Sequence, residues 1–180
     1  AAPLNQPVNC RYGPSTAYAV VGGLQLGGQA EVIGKNSDVT WWVVKSPNDP
    51  STTCWLAVSL VETVGNVDAL PVVNAPLAQV SNIQVNVDPP SLSVSCSSFP
   101  QYITVTAAIT TNGPANVTWR WETSEGESFD KAPLLYLEGS SQPVLLYYKV
   151  NAAKDYWFQV HILSPNDTVG QAVFKATCVP

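Results

Sequence analysis

The sequence of 180 residues carries little charge. Only 12% of its residues are charged, about half the share of an ordinary globular protein. Its eight Lys and Arg residues form no cluster, and the formal net charge is −5. Proteins that bind nucleic acids or anionic membranes need a positive surface that displaces counterions. We therefore expect no nucleic-acid partner.

Long hydrophobic runs and methionine are also missing. The longest apolar runs, Leu134–Leu137 and Val144–Tyr148, are far too short to cross a bilayer. We expect no membrane insertion of this chain. Methionine is absent even at position 1, so we expect a fragment or a processed mature chain.

Residues that carry catalytic chemistry are scarce. The single histidine, His161, lies on the outward register of a predicted strand, which favours a surface residue over a general base. The acidic run Glu122–Asp130 lacks the alternating spacing of a calcium loop. A solvated hairpin tip with a turn at Gly126 is the favoured interpretation. The sequence has no nucleophile elbow and no phosphate loop. We predict no enzyme, no metal site and no cofactor.

The residues that are abundant predict an all-β protein with two domains. Hydrophobic residues make up 46% of the chain, enough for a core, and β-branched residues, which favour strands, are abundant. Residues 70–82, LPVVNAPLAQVSN, contain two prolines, no charge and no alternation. Such a stretch favours a short, extended spacer. We therefore predict a domain over 1–69, a linker over 70–82 and a domain over 83–180.

Four widely spaced cysteines indicate two disulfides. This usage is typical of an oxidising compartment, so we expect an extracytoplasmic protein, either secreted or attached to the cell envelope. Four cysteines allow three pairings. Because two lie on each side of the predicted linker, the economical pairing is Cys10–Cys54 and Cys96–Cys178.

The first domain contains several short strands separated by turn residues, which suggests a small barrel. Its motifs are N-C-R-Y-G-P-S-T-A-Y (9–18), V-V-G-G-L-Q-L-G-G-Q-A-E-V-I-G (20–34), T-W-W-V-V (40–44) and C-W-L (54–56). In this order and spacing, over about residues 8–64, they resemble the bacterial SH3-like (SH3b) domain, whose pattern begins roughly N-V-R-x-G-P-S-x-x-Y. Cys10 replaces the usual Val and Cys54 the usual Gly, and this paired change supports their disulfide. The resemblance implies a small β-barrel that serves secreted or envelope-attached bacterial proteins by holding peptidoglycan or peptides.

Surplus aromatic residues in this domain are the candidate ligand-binding residues. With one arginine, they are Arg11, Tyr12, Tyr18, Trp41, Trp42 and Trp55. Trp41 and Trp42 are adjacent in a strand and must point to opposite faces, so at least one should be partly exposed. An exposed ring beside Tyr12 and Tyr18 would form a stacking platform or a peptide groove. The alternative is that the rings cover the barrel ends and Arg11 braces the long loop 9–17.

The second domain alternates apolar and polar residues along its predicted strands. The strands are Ile83–Val87, Leu92–Cys96, Tyr102–Thr110, Asn116–Glu122, Leu134–Leu137, Val144–Val150, Tyr156–Leu163 and Gln171–Cys178. One wet and one dry face per strand is typical of an antiparallel sandwich. About 98 residues in this pattern fit an immunoglobulin-like fold. The stretches G-P-A-N-V-T-W-R-W-E (113–122) and W-F-Q-V-H-I-L-S-P-N (157–166) resemble bacterial immunoglobulin-like modules.

Together these features predict a non-catalytic extracytoplasmic binding or targeting module of a bacterial envelope or secreted protein. Its SH3-like barrel would bind a cell-wall glycan such as peptidoglycan, a peptide or a protein. The alternative is a structural spacer or surface-display module with no ligand of its own. A groove in the region of Tyr12, Tyr18 and Trp41 would favour the binding module. A convex or buried surface in that region would favour the spacer.

Overall fold

The computed structural model describes residues 1–180, and the chain divides into two compact units. The units are residues 1–78 with 112–114 and 137–139, and residues 79–111 with 115–136 and 140–180. Regular structure is almost entirely strand, so the predicted all-β class is confirmed. The only helical elements are two single 3₁₀ turns, Val58–Leu60 and Cys96–Ser98. None of the helices has the length and apolar character that crossing a membrane requires.

The first unit is built on a five-stranded antiparallel sheet. The strands of the whole unit are β1 (Ala2–Pro3), β2 (Val8–Arg11), β3 (Val20–Leu24), β4 (Val32–Lys35), β5 (Trp41–Lys45), β6 (Thr53–Ala57) and β7 (Val61–Glu62). The order in the large sheet is β3-β2-β6-β5-β4, and β1 pairs separately with β7. The short strands follow from the glycine and proline turn signals that separate them in the sequence.

One core holds this sheet together, and strand alternation decides which residues enter it. Trp42 and Val44 of β5 and Leu56 of β6 face this core, while Trp41 of β5 is half-buried on the opposite face. All five strands of the sheet contribute to the core, so the sheet curves around it. The disulfide Cys10–Cys54 is buried there, with its Cα atoms 5.5 Å apart. The predicted pairing is therefore confirmed.

Residues 70–82 were predicted as a spacer between the domains, but residues 71–73 hydrogen-bond to β4 of the first unit. The backbone N–H of Lys35 donates to the carbonyl of Pro71 at 3.0 Å, and the N–H of Val73 donates to the carbonyl of Lys35 at 2.8 Å. The segment approaches closely because Gly34 has no side chain. A Cβ at Gly34 would lie 2.7 Å from Cγ2 of Val73. Residues 71–78 thus belong to the first unit, and the first continuous stretch of that unit ends at Ala78.

The second unit is a β-sandwich. Its strands are β8 (Val80–Asp88), β9 (Ser91–Ser95), β10 (Gln101–Thr111), β11 (Ala115–Thr123), β12 (Ser128–Asp130), β13 (Leu134–Tyr136), β14 (Ser141–Val150), β15 (Asp155–Ser164) and β16 (Thr168–Val179). One sheet has the order β14-β10-β8 and the other the order β12-β11-β15-β16-β9, with β13 beside β11. All pairs are antiparallel except β16 with β9.

Apolar side chains on the inner faces of both sheets form the sandwich core. Trp121 and Phe158 from the larger sheet and Val105 from the smaller sheet are fully buried. The rings of Tyr148 and Phe158 meet edge to face, with centroids 4.8 Å apart. The disulfide Cys96–Cys178 ties the start of the unit to its last strand, with Cα atoms 4.9 Å apart. This pairing is also confirmed.

Candidate functional site

A groove in the first unit brings together two of the predicted ligand-binding residues, Arg11 and Trp41. Its volume is about 440 Å³. The lining residues come from the turn before β2, from β2 itself, from β5 and from the end of β6. They are Gln6, Pro7, Asn9, Arg11, Thr16, Thr40, Trp41, Ala57, Ser59 and Leu60. Ala57 pairs with Trp41 across the sheet, and its small side chain leaves space beside the indole.

The turn between β4 and β5 fixes the backbone of Trp41. The Asn36 Oδ1 atom accepts hydrogen bonds from the backbone N–H groups of Thr40 at 2.9 Å and Trp41 at 2.8 Å. The Asn36 Nδ2 atom donates to the Thr40 hydroxyl at 2.9 Å. Within this turn Val39 adopts a φ of 54°, a left-handed conformation that is unusual for a β-branched residue. The turn therefore holds the groove wall in one arrangement at a conformational cost.

Arg11 is placed at the groove by the loop that follows β2. Its Nη1 atom donates to the carbonyl oxygens of Thr16 at 3.1 Å and Tyr18 at 2.8 Å. This is the bracing role that the sequence offered as an alternative to ligand binding. Both bonds use one terminal nitrogen, and a guanidinium has five N–H donors in all. Arg11 is also the only charged residue that lines the groove, which makes the groove suited to neutral or anionic ligands.

The other four predicted ligand-binding residues lie elsewhere. Trp42 and Trp55 are buried, so their rings present no surface to a ligand. Tyr12 and Tyr18 are half-buried neighbours, with ring centroids 6.3 Å apart. The Tyr18 hydroxyl donates to the carbonyl of Pro76 at 3.3 Å, and its ring occupies the space where a Cβ at residue 13 would be. Neither tyrosine lines the groove.

In the second unit, His161 belongs to a polar cluster that the sequence analysis missed. Its Nδ1 atom lies 3.0 Å from Oε1 of Glu122, and its Nε2 atom lies 2.8 Å from Oδ1 of Asp167. Arg120 also binds the Glu122 carboxylate, at 2.6 Å, and Gln159 donates to its other oxygen at 2.8 Å. The sequence had placed His161 on the outward face of its strand. The contact of His161 with Arg120 and Glu122 depends on the register of β11 against β15, which no local sequence pattern predicts.

Electrostatics in this cluster favour a charged imidazole. The hydrogen bond with Glu122, followed by the one with Asp167, raises the pKa of His161 above its ordinary value. The hydrogen bond from His161 is in turn the main cause that lowers the pKa of Glu122. Both ring nitrogens face carboxylates, so neither is free to take a proton from a substrate. The arrangement is that of a structural ion network.

Three carboxylates of the acidic run 122–130, those of Glu122, Glu125 and Glu127, have partners within the protein. Glu125 pairs with Lys154 at 2.6 Å, and the Glu127 carboxylate accepts from the Thr123 hydroxyl at 3.3 Å. The turn at Gly126, with a φ of 79°, has the left-handed conformation that glycine adopts readily. These contacts describe a hairpin tip, and no group of three or more His, Cys, Asp or Glu residues in the chain has a metal-binding arrangement.

Comparisons with known proteins find only distant structural likeness. No protein-family model and no curated protein matches the sequence. One similar solved structure is the crystal structure of the CARDB domain of the PF1109 protein from Pyrococcus furiosus, in complex with di-metal ions. The match covers 56% of this chain and 96% of that domain, with 9% identity and a TM-score of 0.43. A solution NMR structure of the same domain matches 53% of this chain over 94% of its own length, with 9% identity and a TM-score of 0.40.

Proposed function

We propose that this chain is a non-catalytic extracytoplasmic binding module whose first unit holds a short peptide of the cell wall. The observation that carries the proposal is the groove of about 440 Å³ in which the half-buried Trp41 and the guanidinium of Arg11 meet. The SH3b-like sequence over residues 8–64 supports the same assignment.

The chemistry of the groove suits a peptide that ends in a carboxylate. An indole ring offers apolar area for an aliphatic side chain at little cost in conformational entropy. The neutral polar residues Asn9 and Ser59 supply partners for peptide N–H and C=O groups. The remaining donors of Arg11 would bind the carboxylate.

The two disulfides support the location. Structural disulfides persist in oxidising compartments and are rare in the cytosol, and both pairs of cysteines are joined here. A first unit of about 78 residues is near the size at which a core alone gives marginal stability. The buried cystine therefore has a clear stabilising role outside the cytoplasm.

Isothermal titration of the full chain with muropeptides and with a peptide library tests the assignment. We expect one site per chain and a loss of affinity of about tenfold or more for Trp41→Ala, because the substitution removes most of the apolar area of the groove. Leu26→Ala is the matched control, since Leu26 is an exposed apolar residue of the same unit outside the groove. No heat with any ligand, or equal affinity for Trp41→Ala, contradicts the proposal.

A spacer without a ligand is the second candidate, and the contacts of Arg11 and Tyr18 favour it. Both side chains bond to backbone of the same unit, as expected of residues that only support the fold. Under this reading Arg11→Ala lowers the melting temperature, and no peptide or muropeptide binds the unaltered chain. Under the binding reading the unaltered chain binds, and Arg11→Lys, which keeps the charge, retains more affinity than Arg11→Ala.

A further inference from the structure

Two tyrosines of the second unit are the only exposed aromatic residues of the chain, and they share one sheet face. Tyr102 in β10 is 72% exposed and Tyr147 in β14 is 75% exposed. Every other Trp, Tyr and Phe is buried or half-buried. Burying aromatic rings is strongly favourable, so two fully hydrated rings on one face call for an explanation other than stability.

The register of β10 against β14 brings these rings together. Tyr102 pairs with Lys149, and Tyr147 pairs with Thr104. The two tyrosines are therefore diagonal neighbours on adjacent strands, about 7–8 Å apart at their Cα atoms. Their strand neighbours Ile103 and Tyr148 are buried on the opposite face. The rings thus stand on a backbone that the core of the sandwich holds rigid.

The remainder of this face is almost uncharged and mixes polar side chains with an apolar strip of Leu145, which is 54% exposed, Ala108 and Pro143. Thr104 and Thr106 continue the row of β10, and β8 contributes Gln84 and Asn86 from the strand on the other side. The only charged side chains on this face, Lys149 and Asp88, have opposite signs and cancel. The surface therefore offers aromatic rings, one exposed leucine, hydroxyls and amides with no net charge.

We propose that this face, the tyrosine platform of Tyr102 and Tyr147, binds a neutral polysaccharide. A sugar ring has an apolar C–H face that stacks on tyrosine, and rim hydroxyls that exchange hydrogen bonds with Thr, Asn and Gln side chains. An anionic polymer would need excess positive charge, which the face lacks. The site is independent of the groove at Trp41.

Affinity electrophoresis of the full chain tests this proposal, because the net charge of −5 moves the protein through a native gel. The gels contain a β-glucan, a glucomannan, glycol chitin or, as the anionic comparison, polygalacturonate. We expect retardation by at least one neutral polymer. The apparent affinity should fall about tenfold for Tyr102→Ala or Tyr147→Ala and vanish for the double variant. Tyr147→Trp, which keeps an aromatic face, should retain retardation.

Leu135→Ala is the matched control, because Leu135 is a similarly exposed apolar residue in β13, outside the platform. Melting temperatures of all variants should stay near that of the unaltered chain, since the truncated side chains are exposed. The proposal is overturned if no neutral polymer retards the chain, if the double variant is retarded as strongly as the unaltered chain, or if polygalacturonate retards it most. It is also overturned if gel filtration shows a dimer that the double variant loses, because the face then binds a second copy.

Discussion

Stability near neutral pH should depend on the ion network around His161. The imidazole lies between Glu122 and Asp167, and Arg120 is the cation that shares the Glu122 carboxylate. Because the pKa of His161 is raised from 6.5, its contribution is fully present below that value. It is lost as pH rises through the folded pKa. Glu122 has a pKa lowered from 4.5, so its contribution is present above 4.5 and lost as pH falls through the folded pKa. The network is therefore strongest between these two ordinary values.

The contribution of His161 to the free energy of unfolding depends on how exposed the side chains of the network are. The side chains of His161 and Glu122 are 22% and 20% exposed, whereas Asp167 is 84% exposed. The contact with Asp167 is screened by solvent and adds little. The hydrogen bond to Glu122 is charge-assisted but partly exposed to solvent, so we discount the usual contribution of such a bond, about 1.5–3 kcal/mol, to about 1 kcal/mol. His161→Gln, which removes the charge, should lower the free energy of unfolding by this amount at pH 5.5.

Urea denaturation of the full chain at pH 5.5, 7 and 8.5 measures this contribution. The difference between the unaltered chain and His161→Gln should shrink as pH rises, and 1 M NaCl should reduce it at pH 5.5. Glu125→Gln is the control, because it breaks a more exposed ion pair, that with Lys154, which does not involve His161. A difference for His161→Gln that is constant with pH, or that grows toward pH 8.5, would refute the reasoning.

Two further substitutions test the backbone. Val39→Asn should raise the stability of the first unit by about 1 kcal/mol, because asparagine tolerates the left-handed φ of 54° better than a β-branched residue does. A loss of stability in thermal melts would contradict this prediction. Gly170→Ala should cost about 1–3 kcal/mol, since its Cβ would lie 2.9 Å from the backbone oxygen of Ile83. In urea melts, Gly170→Ala should cost less in an Ile83→Ala background, where Cγ2 of residue 83 is removed, but should still destabilise, because the Cβ and the backbone oxygen of residue 83 stay. No loss in either background would show that the contact is not tight.

Local patterns predicted much of the fold. Alternation located the long strands of the sandwich, such as β10 and β15, because one face of each is buried. It also separated Trp41 from Trp42 correctly, since adjacent residues of a strand must face opposite ways. The cystines were predictable because each closes within its own domain.

Contacts between segments distant in sequence were not predictable in the same way. Residues 71–73 have no strand pattern, and their pairing with Lys35 is an edge contact that Gly34 permits. The neighbourhood of His161 and the approach of Tyr147 to Tyr102 depend on strand register, which a single sequence does not state. The candidate groove was predicted only through Arg11 and Trp41, and the ligand-binding role of these residues stays a prediction.

The docking of residues 71–73 has a practical consequence for dividing the chain. A polypeptide that stops at residue 69 would leave the N–H and C=O groups of Lys35 without their partners from Pro71 and Val73 and would uncover the strip beside Gly34. Such a shortened polypeptide would expose unpaired backbone groups at the edge of the sheet, which favours self-association. Any separate preparation of the N-terminal half should therefore carry the chain at least as far as Ala78, and it would still lack residues 112–114 and 137–139 of the same unit.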